Sequence, residues 1–211
     1  MKPYLPLAFV GLFSLVAAGA AAVPLSFGTC VSNNSAADCA IGSAQIAVDV
    51  TGGPAASQVS FTFTNSGSAA ASITDIYFDN GTLLGIASIV NGSGVSFSQG
   101  ASPGDLPAGN NASPPFVATA GFTADSNPPA QPNGVNPGET VTIIFDLQSG
   151  GTLQDVLDEL GDGRLRIGVH VQGFASSGSE AFVNTPLPEP GALALLGAGL
   201  LGLAWAGRRS H

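Results

Sequence analysis

Charge is scarce in this chain. Only 9% of its 211 residues are Asp, Glu, Lys or Arg, and only five are basic: Lys2, Arg164, Arg166, Arg208 and Arg209. Three of those five lie at the extreme ends. The stretch from Val23 to Leu187 therefore sets 13 acidic side chains against two basic ones, a net of −11. So acidic a domain repels phosphate backbones and anionic headgroups, which excludes nucleic acid as a partner. Histidine is rarer still, with only His170 and His211, and tryptophan occurs once, as Trp205. The chain has no H-E-x-x-H and no second histidine in the main domain, so metal-assisted hydrolysis lacks its ligands. It also has no serine in G-x-S-x-G, so a triad lacks its nucleophile elbow. The expectation is a protein without metal, cofactor or enzymatic activity.

Cysteine is nearly absent too. Cys30 and Cys39 are the only two, with eight residues between them. That spacing is neither a redox C-x-x-C nor a zinc motif, and in an oxidising compartment the two should pair. Glycine and proline, by contrast, are abundant, at 29 and 15 residues. Together with 45% hydrophobic residues they describe a folded chain with many turns rather than a disordered one.

The two ends carry transport signals. Residues 1–22 open with Lys2, continue through an apolar run from Leu5 and finish in Ala20-Ala21-Ala22, the layout of a secretory signal peptide. Cleavage is expected between Ala22 and Val23, with signal peptidase as the partner, and a cut after Ala20 is nearly as good. At the other end, residues 191–207 are uncharged and precede Arg208-Arg209-Ser210-His211. A helix of that length spans about 26 Å, close to the lower limit for a bilayer core. The paired arginines stay cytoplasmic by the positive-inside rule, which leaves the main domain outside. Leu187-Pro188-Glu189-Pro190-Gly191 differs from a sortase signal in having Pro190 where threonine belongs, and the terminal arginines differ from a GPI signal.

Taken in order, Pro188-Glu189-Pro190, the apolar helix 191–207 and the basic stop Arg208-Arg209 resemble the PEP-CTERM protein-sorting signal of bacteria that make exopolysaccharide. The resemblance implies that an exosortase-type membrane protease cuts near Pro188, Glu189 and Pro190. The implied route is an inner-membrane-anchored precursor that later reaches the cell surface or the exterior. Prolines on both sides of Glu189 hold the peptide out of a helix, extended at the membrane edge. The stretch from Ile73 to Asn184 also resembles a recurrent PEP-CTERM ectodomain type that has no assigned activity.

Between the signals, residues 23–185 read as one domain. Gln45 to Val50, Val59 to Thr64 and Ile73 to Phe78 alternate or nearly alternate as strands do, Leu83 to Val90, Phe116 to Phe122, Thr140 to Leu147 and Leu165 to Phe174 add four more candidate strands, and Asn-, Gly- and Pro-rich turns separate them. This predicts an all-β fold: an antiparallel β-sandwich, jelly-roll-like, of seven or eight strands. One short helix is expected over Leu153 to Leu160, with Thr152 as N-cap and Gly161 as its stop. Residues 100–115 and 125–138 read as long loops.

Chemistry-bearing candidates are few. The strand period places His170 with Arg166, Gly168 and Gln172 on a solvated face. Asp155, Asp158, Glu159 and Asp162 form a solvated helix face or a weak calcium site without EF-hand spacing. Gly197 to Gly202 matches G-x-G-x-x-G only formally, because no acidic residue follows at the required distance. The leading expectation is an exported structural or adhesive protein of the envelope or extracellular matrix. The alternative is a carbohydrate-binding module for exopolysaccharide, with Tyr77, Phe78, Phe97, Phe116 and Phe122 supplying a sugar-stacking face. A secreted hydrolase is the third reading, and its mark would be a cluster of carboxylates with shifted pKa values.

Overall fold

The structure, a computed structural model, describes residues 22–186 apart from 80, 149 and the side chain at 84. The signal peptide, the processing motif Pro188-Glu189-Pro190, the 191–207 helix and the Arg208-Arg209 stop lie outside the described residues. No helix among the described residues is long and apolar enough to cross a membrane.

Alternation of apolar and polar side chains produces two antiparallel sheets. β3 (Ile46–Gly52), β4 (Gln58–Asn65) and β9 (Thr140–Leu147) form the centre of one. β1 (Val23–Ser26) closes one edge of this five-stranded sheet and β6 (Leu83–Asn91) the other. Val48 and Val50 of β3 stand opposite Phe63 and Phe61 of β4, which stand opposite Val141 and Ile143 of β9. All six side chains are buried, while Thr62 and Thr142 on the other face bond to each other at 2.9 Å. The six-stranded sheet runs β2 (Thr29–Cys30), β11 (Ser179–Val183), β10 (Ile167–Gln172), β5 (Ser72–Phe78), β8 (Thr123–Ser126) and β7 (Phe97–Gln99). The two sheets pack face to face as a sandwich.

Phe78 joins the layers. It comes from the six-stranded sheet and enters among Phe61, Phe63 and Phe145 of the other, with ring centroids 5.0, 6.2 and 4.7 Å away in edge-to-face geometry. All four rings are fully buried. This packing matches the aromatic quadrupole, positive edge to negative face, and adds to the burial of apolar area.

Among the described residues there are three α-helices where the sequence predicts one in the domain. α1 (Ala36–Gln45) carries a legible signal, Ser35-x-x-Asp38: the Ser35 hydroxyl accepts the Asp38 backbone N–H at 3.3 Å. α2 (Ala130–Asn133) is a single turn inside the expected 125–138 loop. α3 (Leu153–Asp162) has the expected cap, Thr152, in a complete capping box with Asp155. The helix runs through Gly161, however, and stops at Gly163, whose φ of 78° is left-handed. The expected strand Phe116 to Phe122 is not one: Gly121 turns the chain at φ 86°, and β8 starts at Thr123.

Cys30 and Cys39 form the expected disulfide, which ties α1 to the strand edge formed by β2 and β11. Their separation of nine residues closes a short loop, and crosslinking it stabilises the fold by about 2–3 kcal/mol on the chain-entropy account. The Cys30→Ser/Cys39→Ser double variant should lose that much in urea unfolding. Equal stability would assign the crosslink no role in the fold.

Candidate functional site

Three titratable side chains form a row on the outer face of the six-stranded sheet. His170 of β10 is the direct cross-strand partner of Asp75 on β5, and Asp75 that of Asp125 on β8. The His170 Nδ1 lies 2.9 Å from Asp75 Oδ2, and the same oxygen accepts the Thr74 hydroxyl at 2.8 Å. The His170 side chain is only 12% exposed and that of Asp75 only 4%, so the expected solvated face is in fact a covered one. The reason is long-range and invisible to strand periodicity: residues 100–118, of which 100–115 are expected as a loop and 116–118 as the start of a strand, lie across this face as a strap.

The strap is held at many points. Gly100 N–H donates to Thr123 O, the Ala118 N–H to Asp105 Oδ1 at 2.8 Å, and the Tyr77 hydroxyl to Pro103 O at 3.1 Å. Further along, the Arg166 guanidinium donates to the carbonyls of Pro114 and Pro115 at 2.6 and 2.9 Å and lies over the Phe116 ring. Leu106, Ala112 and Phe116 of the strap bury themselves against Tyr77, Val31, Ala181 and Val183 as a second small core. Gly168 permits this approach, because a Cβ there would stand 2.9 Å from Leu106 and 3.1 Å from Phe116.

Crowding two carboxylates sets the electrostatics. Burial, then the Asp75 charge, then the hydrogen bond to Asp75 push the Asp125 carboxyl up to about 6, above the usual carboxylate range. Burial and the charges of Asp75, Asp125 and Asp105 push the Tyr77 phenol up as well. Burial also raises Asp79, against the opposing pull of Arg166, whose Nε stands 2.6 Å from it. A carboxyl raised in the folded state stabilises through its protonated form. The Asp125 contribution is therefore full below about pH 4 and is lost as pH rises through about 6. Asp125→Asn keeps a neutral hydrogen-bonding group, so above pH 6 it should gain about 1–2 kcal/mol over the parent, a value discounted for partial exposure. The gain should vanish below pH 4, as chemical unfolding at the two pH values would show. An equal difference at both would remove the proton from the account.

The other candidates resolve into structure. Asp155 closes the α3 cap, Asp158 accepts from Gln154 at 2.8 Å, and Asp162 pairs with Arg164 at 2.7 Å. Glu159 is buried, accepts the Thr82 N–H at 2.6 Å and meets Arg164 at 3.1 Å. Asp155 and Asp158 thus serve bonds within α3 and its cap, while Glu159 and Asp162 share Arg164. Cys30, Cys39 and Glu180 also bring potential ligand atoms within 4.8 Å of one another. The two sulfurs are spent in the disulfide, and Glu180 accepts the backbone N–H groups of Asn34 and Ser35 at 3.0 and 2.6 Å. The aromatic set falls inside: Tyr77, Phe78, Phe97 and Phe116 are buried and Phe122 is half-buried, stacked on Phe145. These rings are core, not a sugar-stacking face.

At the start of the domain, Val23 already pairs with Val50 in β1, so a cut between Ala22 and Val23 leaves that strand whole. At its end, Thr185 donates to Ser26 O, and the chain leaves the sandwich beside a cavity of about 240 Å³ lined by Pro114, Arg166, Val183 and Pro186 among others. Residues 186–209 match the PEP-CTERM protein-sorting motif, so the chain carries the sorting signal of exosortase substrates. No curated protein and no solved structure matches it.

Proposed function

We propose that the exported domain is a non-catalytic structural or adhesive element of the cell envelope or extracellular matrix. Signal peptidase removes residues 1–22, the 191–207 helix holds the precursor in the inner membrane, and an exosortase-type protease then cuts near Pro188-Glu189-Pro190. The observation that carries this reading is the tail, which gives the domain a destination. Two further features support it. The sandwich is crosslinked near its N-terminus, as suits an oxidising exterior, and the row of His170, Asp75 and Asp125 lies beneath a strap. The carbohydrate-binding alternative loses the ring surface that motivated it, since a stacking platform must be exposed.

The test compares host cells lacking the chain with cells restored by the intact chain or by one carrying Asp75→Asn. A structural element restores surface adhesion or matrix retention with either chain. Restoration that depends on Asp75 while the variant is exported and folded would instead assign chemistry to the row.

A further inference from the structure

We propose that β6 (Leu83–Asn91) is a docking edge for a second copy of this chain, which adds its own β6 antiparallel and joins two five-stranded sheets into one. β6 is the last strand of its sheet. Its backbone bonds to β9 on one side and, among the described residues, to no other main chain on the other. Such an edge presents N–H and C=O groups without protein partners, and sheets normally blunt it by shortness, proline or charge. The other three edges are blunted in that way: β1 has four residues and includes Pro24, β2 has two and β7 three. β6 has nine residues, without proline and without charge.

Register says where the second copy sits. Two bulges, between Leu83 and Gly85 and between Ile86 and Ser88, bend the first half of β6, and from Ser88 to Asn91 the strand runs in step with β9. Asn91 is taken: its side chain accepts the Phe97 N–H at 2.8 Å and donates to Phe97 O at 3.1 Å. That leaves Ser88–Val90. Ser88 and Val90 are exposed on the outer face, opposite Ile144 and Thr142, while Ile89 packs on the core side. Val90 is 54% exposed and, with Val117 of the strap, makes up the exposed large hydrophobic side chains among the described residues. Pairing centred on Ile89 sets Val90 beside Ser88 of the second copy and covers it.

Charge selects the occupant. Residues 23–187 carry a net of −11, so two copies repel each other over most of their surfaces. β6 itself is uncharged, and acidic groups at its flanks are already held: Asp79 by Arg166, Glu159 by Arg164 and the Thr82 N–H, and Asp146 by Gln58 at 2.9 Å. A basic partner finds no carboxylate on this strand, whereas an identical uncharged strand meets it without repulsion. A two-fold pair of β6 strands uses up the edge in both copies, and the blunted edges do not extend it, so assembly closes at a dimer.

Pairing through so short a segment belongs to the weak interfaces, under about 1,200 Å². The test therefore brackets a dissociation constant of about 10 µM, with the full-length chain in detergent micelles at about 1 and about 100 µM. Hydrogen–deuterium exchange reads β6 itself, whatever residues 191–207 do. Protection of the 88–90 amides relative to β4 should rise about fourfold at the higher concentration. Val90→Glu sets like charges against each other across the two-fold and should abolish the rise, while Val117→Glu should leave it intact; both positions are exposed, so both variants keep the fold. No rise in the parent, or a rise that survives in Val90→Glu, would overturn the proposal. Protection that is high at both concentrations would give the edge to a segment of the same chain, and a rise lost only in Val117→Glu would move the contact to the strap; either result overturns it too. The edge owes nothing to the tail, so a monomer would leave the sorting reading standing.

Discussion

Replacing Pro188, Glu189 and Pro190 together with alanine leaves the exported chain uncut: the processed fraction falls at least about tenfold, the loss expected from removing roughly 1.4 kcal/mol of transition-state recognition. The physical reason is conformational as well as chemical. Three alanines extend the helical propensity of residues 191–207 back into the motif, so the segment that should lie extended at the membrane edge becomes another helical turn. The carboxylate of Glu189, the only acidic residue beyond Glu180, disappears at the same time. The ectodomain keeps its fold because the substitutions fall after Thr185, its last backbone contact with β1. Processing at the parental rate would show that the protease reads something other than this tripeptide.

Phe78→Ala destabilises the domain by about 3–5 kcal/mol, a large share of the roughly 5–15 kcal/mol that holds an ordinary domain folded. Phe78 touches three rings of the opposite sheet at once, and none of them has room to follow a shrinking neighbour without breaking its own strand register. The cavity therefore stays open. Phe122→Ala should cost much less, because that ring is half-buried and its one aromatic contact is a stack on Phe145 at 5.8 Å. Thermal or urea unfolding of the two variants side by side separates the roles. Equal losses would mean that the layers are joined elsewhere.

The parts of this fold that were legible in the sequence are those fixed by local periodicity. The β4 and β9 strands are marked by Val59, Phe61 and Phe63 and by Val141, Ile143 and Phe145 at every second position, all buried in the core, and α3 announces itself through Thr152 and its apolar stripe. Less legible were elements whose pattern is set by distant partners. β11 carries Glu180 at a buried position, a charge that reads as surface until Asn34 and Ser35 are folded over it. α1 is built of small residues without a strong stripe, and only Ser35 and Asp38 mark its start. The outer row failed for a related reason. Strand period placed His170 and its neighbours on the outer face correctly, but a period of two says nothing about a strap that returns from residues 100–118. Gly168, with room for no side chain, is the one local sign of that cover. The tail is legible in full from sequence, because its signal is linear: a tripeptide, an apolar run and two arginines.

The most direct test of the whole account is intact mass spectrometry of the protein recovered from its native host, with membrane and medium analysed separately. The account predicts a chain that starts at or near Val23, is two mass units light for the Cys30–Cys39 disulfide, and ends between Pro188 and Pro190. A chain that still carries Arg208-Arg209 and occurs only in membranes would contradict it, and would make the protein a permanently tail-anchored envelope protein.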